Sequence, residues 1–93
     1  MDPEVKKKWI AALRSGEYKQ GRGALCRDKT YCCLGVLLHQ MKGDDPGLCR
    51  GTLKSSLLDE IGLSVMDHQH AIELNDDQKL SFDEIADWIE EDL

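Results

Sequence analysis

The sequence has no long hydrophobic run. Its longest apolar stretch, Tyr31 to Leu38, covers eight residues and is stopped by His39, far short of the ~20 residues that a membrane helix needs. The opening segment, Met-Asp-Pro-Glu-Val-Lys-Lys-Lys, holds no apolar stretch of the signal-peptide kind, so the expectation is a cytoplasmic protein. No Cys-x2-Cys pair occurs among the four cysteines, Cys26, Cys32, Cys33 and Cys49. That spacing argues against structural zinc, and no metal or other cofactor is expected. In a reducing compartment all four are expected as thiols. Internal repeats, low-complexity tracts and linkers are also missing, which points to a single domain over residues 1–93.

What is present suits a small α+β domain. The chain has 93 residues, 41% of them hydrophobic and 32% charged, enough for one modest core that buries ~60–65% of the unfolded surface. The formal net charge is −6. An acidic balance argues against generic nucleic-acid binding, which depends on neutralising phosphates. The charge is unevenly distributed: residues 1–43 hold nine Lys/Arg and four Asp/Glu, whereas residues 44–93 hold three and fourteen. Either the basic half packs near the acidic half and the fields partly cancel, or the acidic half meets a basic partner. The same asymmetry is compatible with a homodimer.

Local signals predict the elements. Asp2 caps a first helix with Pro3 at its first position, and Val5, Trp9, Ala12 and Leu13 form its apolar stripe. Gly16 suits the position just past its end. A small hairpin is expected, roughly Tyr18–Cys26 against Thr30–Tyr31, with glycines marking a bulge or a close backbone approach. Cys32–Met41 reads as a central buried helix, and Gly35 inside it, at a cost of ~1 kcal/mol relative to Ala, implies that another backbone comes close. Lys42–Gly51 reads as the main loop, and Thr52 as the cap of a short helix, Leu53–Ile61, ended by Gly62. Leu63–Leu74 fits either a strand or a helical turn, and Asn75-Asp76-Asp77 is a turn signal. Ser81 and Glu84 form a capping box for an acidic amphipathic last helix.

Three fragments, taken together, resemble a family of short uncharacterised proteins encoded by bacteriophages and prophages. They are Ala12 to Gly21, Tyr31-Cys32-Cys33-Leu34-Gly35-Val36-Leu37, and Leu74-Asn75-Asp76 followed by Ser81-Phe82-Asp83-Glu84-Ile85-Ala86-Asp87. The resemblance implies genomic context more than mechanism. Small phage proteins of this kind often act on the host as inhibitors, counter-defence factors or regulators.

Four constellations could carry chemistry. Zinc is disfavoured by the cysteine spacing. The second is a nucleophile: Cys32 at a helix start, His70 on a later strand and Asn75 as orienter echo the layout of papain-like hydrolases. Set against this, free cysteines commonly pack as small hydrophobes. The third is an anionic, nucleotide-like ligand held by Tyr18, Lys19, Gln20, Arg22 and Tyr31, with Gly21 and Gly23 exposing backbone N–H groups. A glycine bulge with solvated Arg and Lys explains the same residues. The fourth is a partner surface of Asp83, Asp87, Trp88 and Glu91, where an aromatic anchor sits beside steering charge; a tryptophan closing a small core is the alternative.

The expectation is therefore a non-catalytic accessory protein that binds and interferes with a host factor, such as a component of a defence system, in the host cytoplasm. Its partner would be a host protein or a small anionic ligand, with no membrane or generic nucleic-acid role. The alternative is a minimal cysteine-dependent hydrolase.

Overall fold

The computed structural model describes residues 1–43 and 53–93. These form five helices and a small mixed sheet, so the fold is α+β. Helix α1, Pro3–Arg14, begins where the Asp2 carboxylate accepts from the Glu4 and Val5 N–H groups, at 2.8 and 3.3 Å. Trp9, Ala12 and Leu13 are buried on its inner face, with Val5 packed at the margin. Gly16 takes the left-handed conformation that stops it, at φ 77°.

Three two-residue strands follow: β1 Lys19–Gln20, β2 Cys26–Arg27 and β3 Thr30–Tyr31, in the spatial order β1-β3-β2. The expected hairpin needs correction. Only Cys26–Arg27 pairs antiparallel with Thr30–Tyr31, through a turn in which Asp28 and Lys29 both have positive φ, at 51° and 65°. That is the conformation whose twist matches a tight hairpin. Lys19–Gln20 instead runs parallel to β3 on its other edge. The intervening Gly21–Leu25 segment crosses over and delivers Leu25 to the core.

Helix α2, Cys33–Lys42, is the centre of the domain. Every residue from Cys33 to Leu38 is buried, so this first part of the helix is packed on all sides, while Gln40 and Lys42 reach solvent. The expected role of Gly35 is borne out: a β-carbon there would collide with the Leu25 carbonyl oxygen. The Trp9 indole N–H donates to the Cys33 carbonyl at 2.8 Å and fastens α1 to this helix.

Helix α3 is Ser55–Ile61 and starts later than expected, after Lys54. Thr52, Cys49 and nearly all of the expected Lys42–Gly51 loop lie outside the described residues; Lys42 itself closes α2. Gly62 ends α3 at φ 73°, as expected. Ser64 caps α4, Val65–Ile72, which widens into a π-helical turn, Glu73–Asp77. Of the two readings of His70–Leu74, strand or helical turn, the structure shows the helical one, in which Ala71 and Leu74 turn to the same buried side, so the strand placement of His70 falls. Helix α5, Phe82–Asp92, carries the complete capping box, with Ser81 N–H on the Glu84 carboxylate at 3.1 Å and Glu84 N–H on the Ser81 hydroxyl at 3.2 Å. Its apolar face packs on α1, and α2 packs on α1 and α4. Among the described residues no helix is long and apolar enough to cross a membrane.

Candidate functional site

The most organised polar site is buried, and it centres on Asn75. This side chain is fully enclosed, yet every polar group of its amide is engaged. Its Oδ1 accepts from Gln20 Nε2 at 3.0 Å and from the Cys33 N–H at 3.2 Å. Its Nδ2 donates to the Gly21 carbonyl at 3.0 Å and to Asp76 Oδ1 at 2.8 Å. Its own carbonyl accepts from Arg22 Nε at 2.9 Å. The π-helical turn thus supplies an external cap for α2, satisfying an N–H that an isolated helix start would leave open. Gln20 Nε2 also donates to the Leu80 carbonyl at 2.7 Å, and the Arg22 guanidinium reaches the Lys79 carbonyl at 3.3 Å.

Two residues of the expected anionic-ligand set, Gln20 and Arg22, are therefore clamps between the β1 region and residues 75–80. Lys19 is exposed. The two tyrosines sit elsewhere, in a three-ring contact with His39. Tyr18 meets Tyr31 edge-on with centroids 5.1 Å apart, and His39 lies 5.4 Å from Tyr18 and 5.7 Å from Tyr31. The Tyr18 hydroxyl is hydrogen-bonded to His39 Nδ1 at 2.6 Å and accepts from Gln40 Nε2 at 2.7 Å. This half-buried corner joins the sheet to the end of α2. Sequence reasoning placed neither His39 nor Gln40 there; their spacing from Tyr18 gave no local signal.

The hydrolase alternative involves Cys32, His70 and Asn75. The Cys32 thiol is buried at the start of α2, where its Sγ accepts from the Gly35 N–H at 3.3 Å. Burial pushes its pKa up from the ordinary 9.0, and the backbone N–H groups of α2 only partly offset this. Cys33 is fully enclosed and pushed up further, with its Sγ against the Ala71 carbonyl at 3.6 Å. Both are free thiols in a protonated state that disfavours nucleophilic attack. The His70 ring rests on Trp88, with centroids 5.0 Å apart, and Asn75 is the capping amide described above. Cys26 departs from the expectation of four thiols: it is disulfide-bonded. Among the described residues no group of three or more His, Cys, Asp or Glu is arranged to hold a metal ion.

The acidic helix divides into two flanks. Arg14 of α1 reaches Asp87 at 2.6 Å and Glu90 at 3.0 Å, and Lys6 donates to the Glu90 carbonyl at 3.4 Å. On this flank the basic N-terminal part does neutralise the acidic part. Glu91 is exposed on the flank where half-buried Trp88 faces His70 of α4, whereas Asp83 is exposed in the first turn, at the helical spacing of Asp87 and Glu90.

Residues 1–47 match a family described as a domain of unknown function, DUF8296, and the chain belongs to that family. The matched span includes α1, the sheet and α2. No curated protein and no solved structure matches the chain.

Proposed function

For this member of the DUF8296 family, we propose a non-catalytic role: a phage-type accessory protein that binds a host protein and interferes with it. The observation that carries the reading is the exposed acidic flank of α5 beside a half-buried Trp88. An aromatic anchor at the edge of fixed charge is the composition of an interface, with charge steering the encounter and the ring supplying buried area. The buried, protonated thiols weigh against the hydrolase. The internal engagement of Gln20 and Arg22 weighs against the nucleotide-like ligand, because a phosphate would have to displace bonds to Asn75 and Leu80.

The resemblance to short phage-encoded proteins supports a bacterial target and a working place in the host cytoplasm. The Cys26 disulfide attaches a condition to that location, since the fold must then survive reduction. Melting the protein with and without dithiothreitol checks this, and unfolding at growth temperature under reduction removes the cytoplasmic reading.

The direct test is retention of a bacterial lysate protein on the immobilised chain. Reversing Asp83 and Glu91 to Lys releases the retained protein while the circular-dichroism spectrum holds and the melting temperature falls only slightly, Asp83 lying in the first turn of α5 where it complements the helix dipole. Equal retention by that variant, or no retained protein, overturns the reading.

A further inference from the structure

We propose that Met66, His70 and Trp88 form a docking stripe for a basic amphipathic helix presented by a protein partner. The inference rests on the protein-binding reading above and specifies the partner's chemistry.

Helix α4 buries His68 and Ala71, yet leaves two large apolar side chains in water. Val65 is 70% exposed and Met66 is 83% exposed, whereas the other large apolar residues described are buried or packed at the core's edge. Met66 and His70 lie one helical turn apart and share a face. The His70 ring then meets the Trp88 ring at 5.0 Å and carries the stripe across to α5. Nothing in the fold requires Met66 to be apolar at this exposure. Methionine is adaptable enough to fit against another helix, and tryptophan is a frequent anchor.

Charge selects the occupant. From Val65 to Leu93 the chain has ten Asp/Glu and a single basic residue, Lys79. Glu73 continues the Met66–His70 face, and Glu91 lies one turn beyond Trp88. Both are exposed, and among the described residues neither belongs to an ion pair. By contrast, Asp87 and Glu90 on the far flank are already matched by Arg14. An apolar stripe with an acidic rim complements a helix with one apolar face and lysine or arginine beside it. Anionic lipid and nucleic acid are repelled by the same field. A second copy meeting this face with its own would set acid against acid.

The test uses a fluorescent leucine–lysine amphipathic peptide of about 18 residues, long enough for a stable apolar face. Controls are a permuted peptide of the same composition with no apolar face, and a leucine–glutamate counterpart. Fluorescence anisotropy with the full-length protein gives affinities for wild type, Met66→Lys and Glu91→Lys. The expected result is binding of the leucine–lysine peptide alone, weakened roughly tenfold or more by Met66→Lys. Glu91→Lys weakens it by about threefold and flattens its salt dependence. Because Met66 is exposed, its replacement leaves the melting temperature in place.

Equal binding of the permuted peptide, or an unchanged affinity in Met66→Lys, overturns the proposal. So does a wild-type dimer in sedimentation that Met66→Lys converts to monomer, since a second copy then covers the face. If the lysate protein retained on the chain is lost with Asp83 and Glu91 reversed but kept with Met66→Lys, the protein-binding reading stands and this stripe falls.

Discussion

Two regions of this molecule rich in polar side chains have opposite fates. Around Asn75 the donors and acceptors of Gln20, Gly21, Arg22 and Cys33 close on one another inside the protein. Along the outer flanks of α4 and α5, Glu73, Glu91, His70 and Met66 face water. The difference teaches that a polar, glycine-punctuated stretch is not a binding site merely because it could cradle an anion. What decides is whether the chain itself supplies the partners. In the first region the polar groups hold the fold together, so substitutions there should be read out as stability. In the second they should be read out as association.

The largest expected effect breaks the first region. Asn75→Ala removes a buried amide with four side-chain hydrogen bonds and strands the Cys33 N–H and the Gly21 carbonyl. A loss of about 3 kcal/mol or more in urea denaturation is expected. A loss below about 1 kcal/mol would mean the network is incidental, and the contrast between the regions would dissolve. Gly35→Ala comes next. The added methyl group meets backbone at Leu25 rather than a movable side chain, and about 2–3 kcal/mol is expected from the same measurement.

Two pH effects sharpen the comparison from the interior side. His68 is buried, its Nε2 has no hydrogen-bond partner, and burial lowers its pKa below the ordinary 6.5. The unfolded chain therefore takes up a proton first. Stability is intact above pH 6.5 and falls as the pH drops through the folded value. His68→Leu flattens that acid limb of the stability curve. The thiols act at the other end. Their folded pKa values lie above the ordinary 9.0, so the unfolded chain loses protons first and stability falls as the pH rises past 9.0. At pH 8, iodoacetamide should label Cys32 and Cys33 only after denaturation, as read by intact mass; rapid labelling of the native protein would reinstate the hydrolase.

The smallest effect belongs to the exterior. Arg14→Ala breaks exposed pairs to Asp87 and Glu90 and should cost about 0.5 kcal/mol, less at high salt. A much larger loss would mean that the outer charges hold the fold as the inner ones do.

The sequence is most legible where a residue acts on its near neighbours. Asp2 and the Ser81/Glu84 box mark helix starts because their hydrogen bonds close within two or three positions, and Pro3 does so through its fixed φ and missing N–H. Gly16 and Gly62 mark helix ends through their own backbone conformation. Gly35 is legible for a different reason, since a glycine amid Leu and Val in a helix asks for a close neighbour, though not which one. Where contacts are distant, the reading fails. Strands of two residues have no periodicity to detect, so the parallel pairing of Lys19–Gln20 with Thr30–Tyr31 is invisible. His70–Leu74 is too short to separate a period of two from one of 3.6. The expected ligand set divides because Tyr18 and Tyr31 find His39, whereas Gln20 and Arg22 find the segment from Asn75 to Leu80. Of the partner set, Asp83, Trp88 and Glu91 remain available at the surface and Asp87 is tied to Arg14.

The Asn75 amide also bears on timing. The Cys33 N–H must wait 42 residues for its acceptor, and Gln20 must wait 55. As the chain leaves the ribosome, its most apolar helix therefore emerges before the amide that engages its first N–H and before α4 covers one of its flanks. The first half of the protein depends on a late arrival from the second, and until that side chain is synthesised the nascent chain is exposed to proteases and to aggregation.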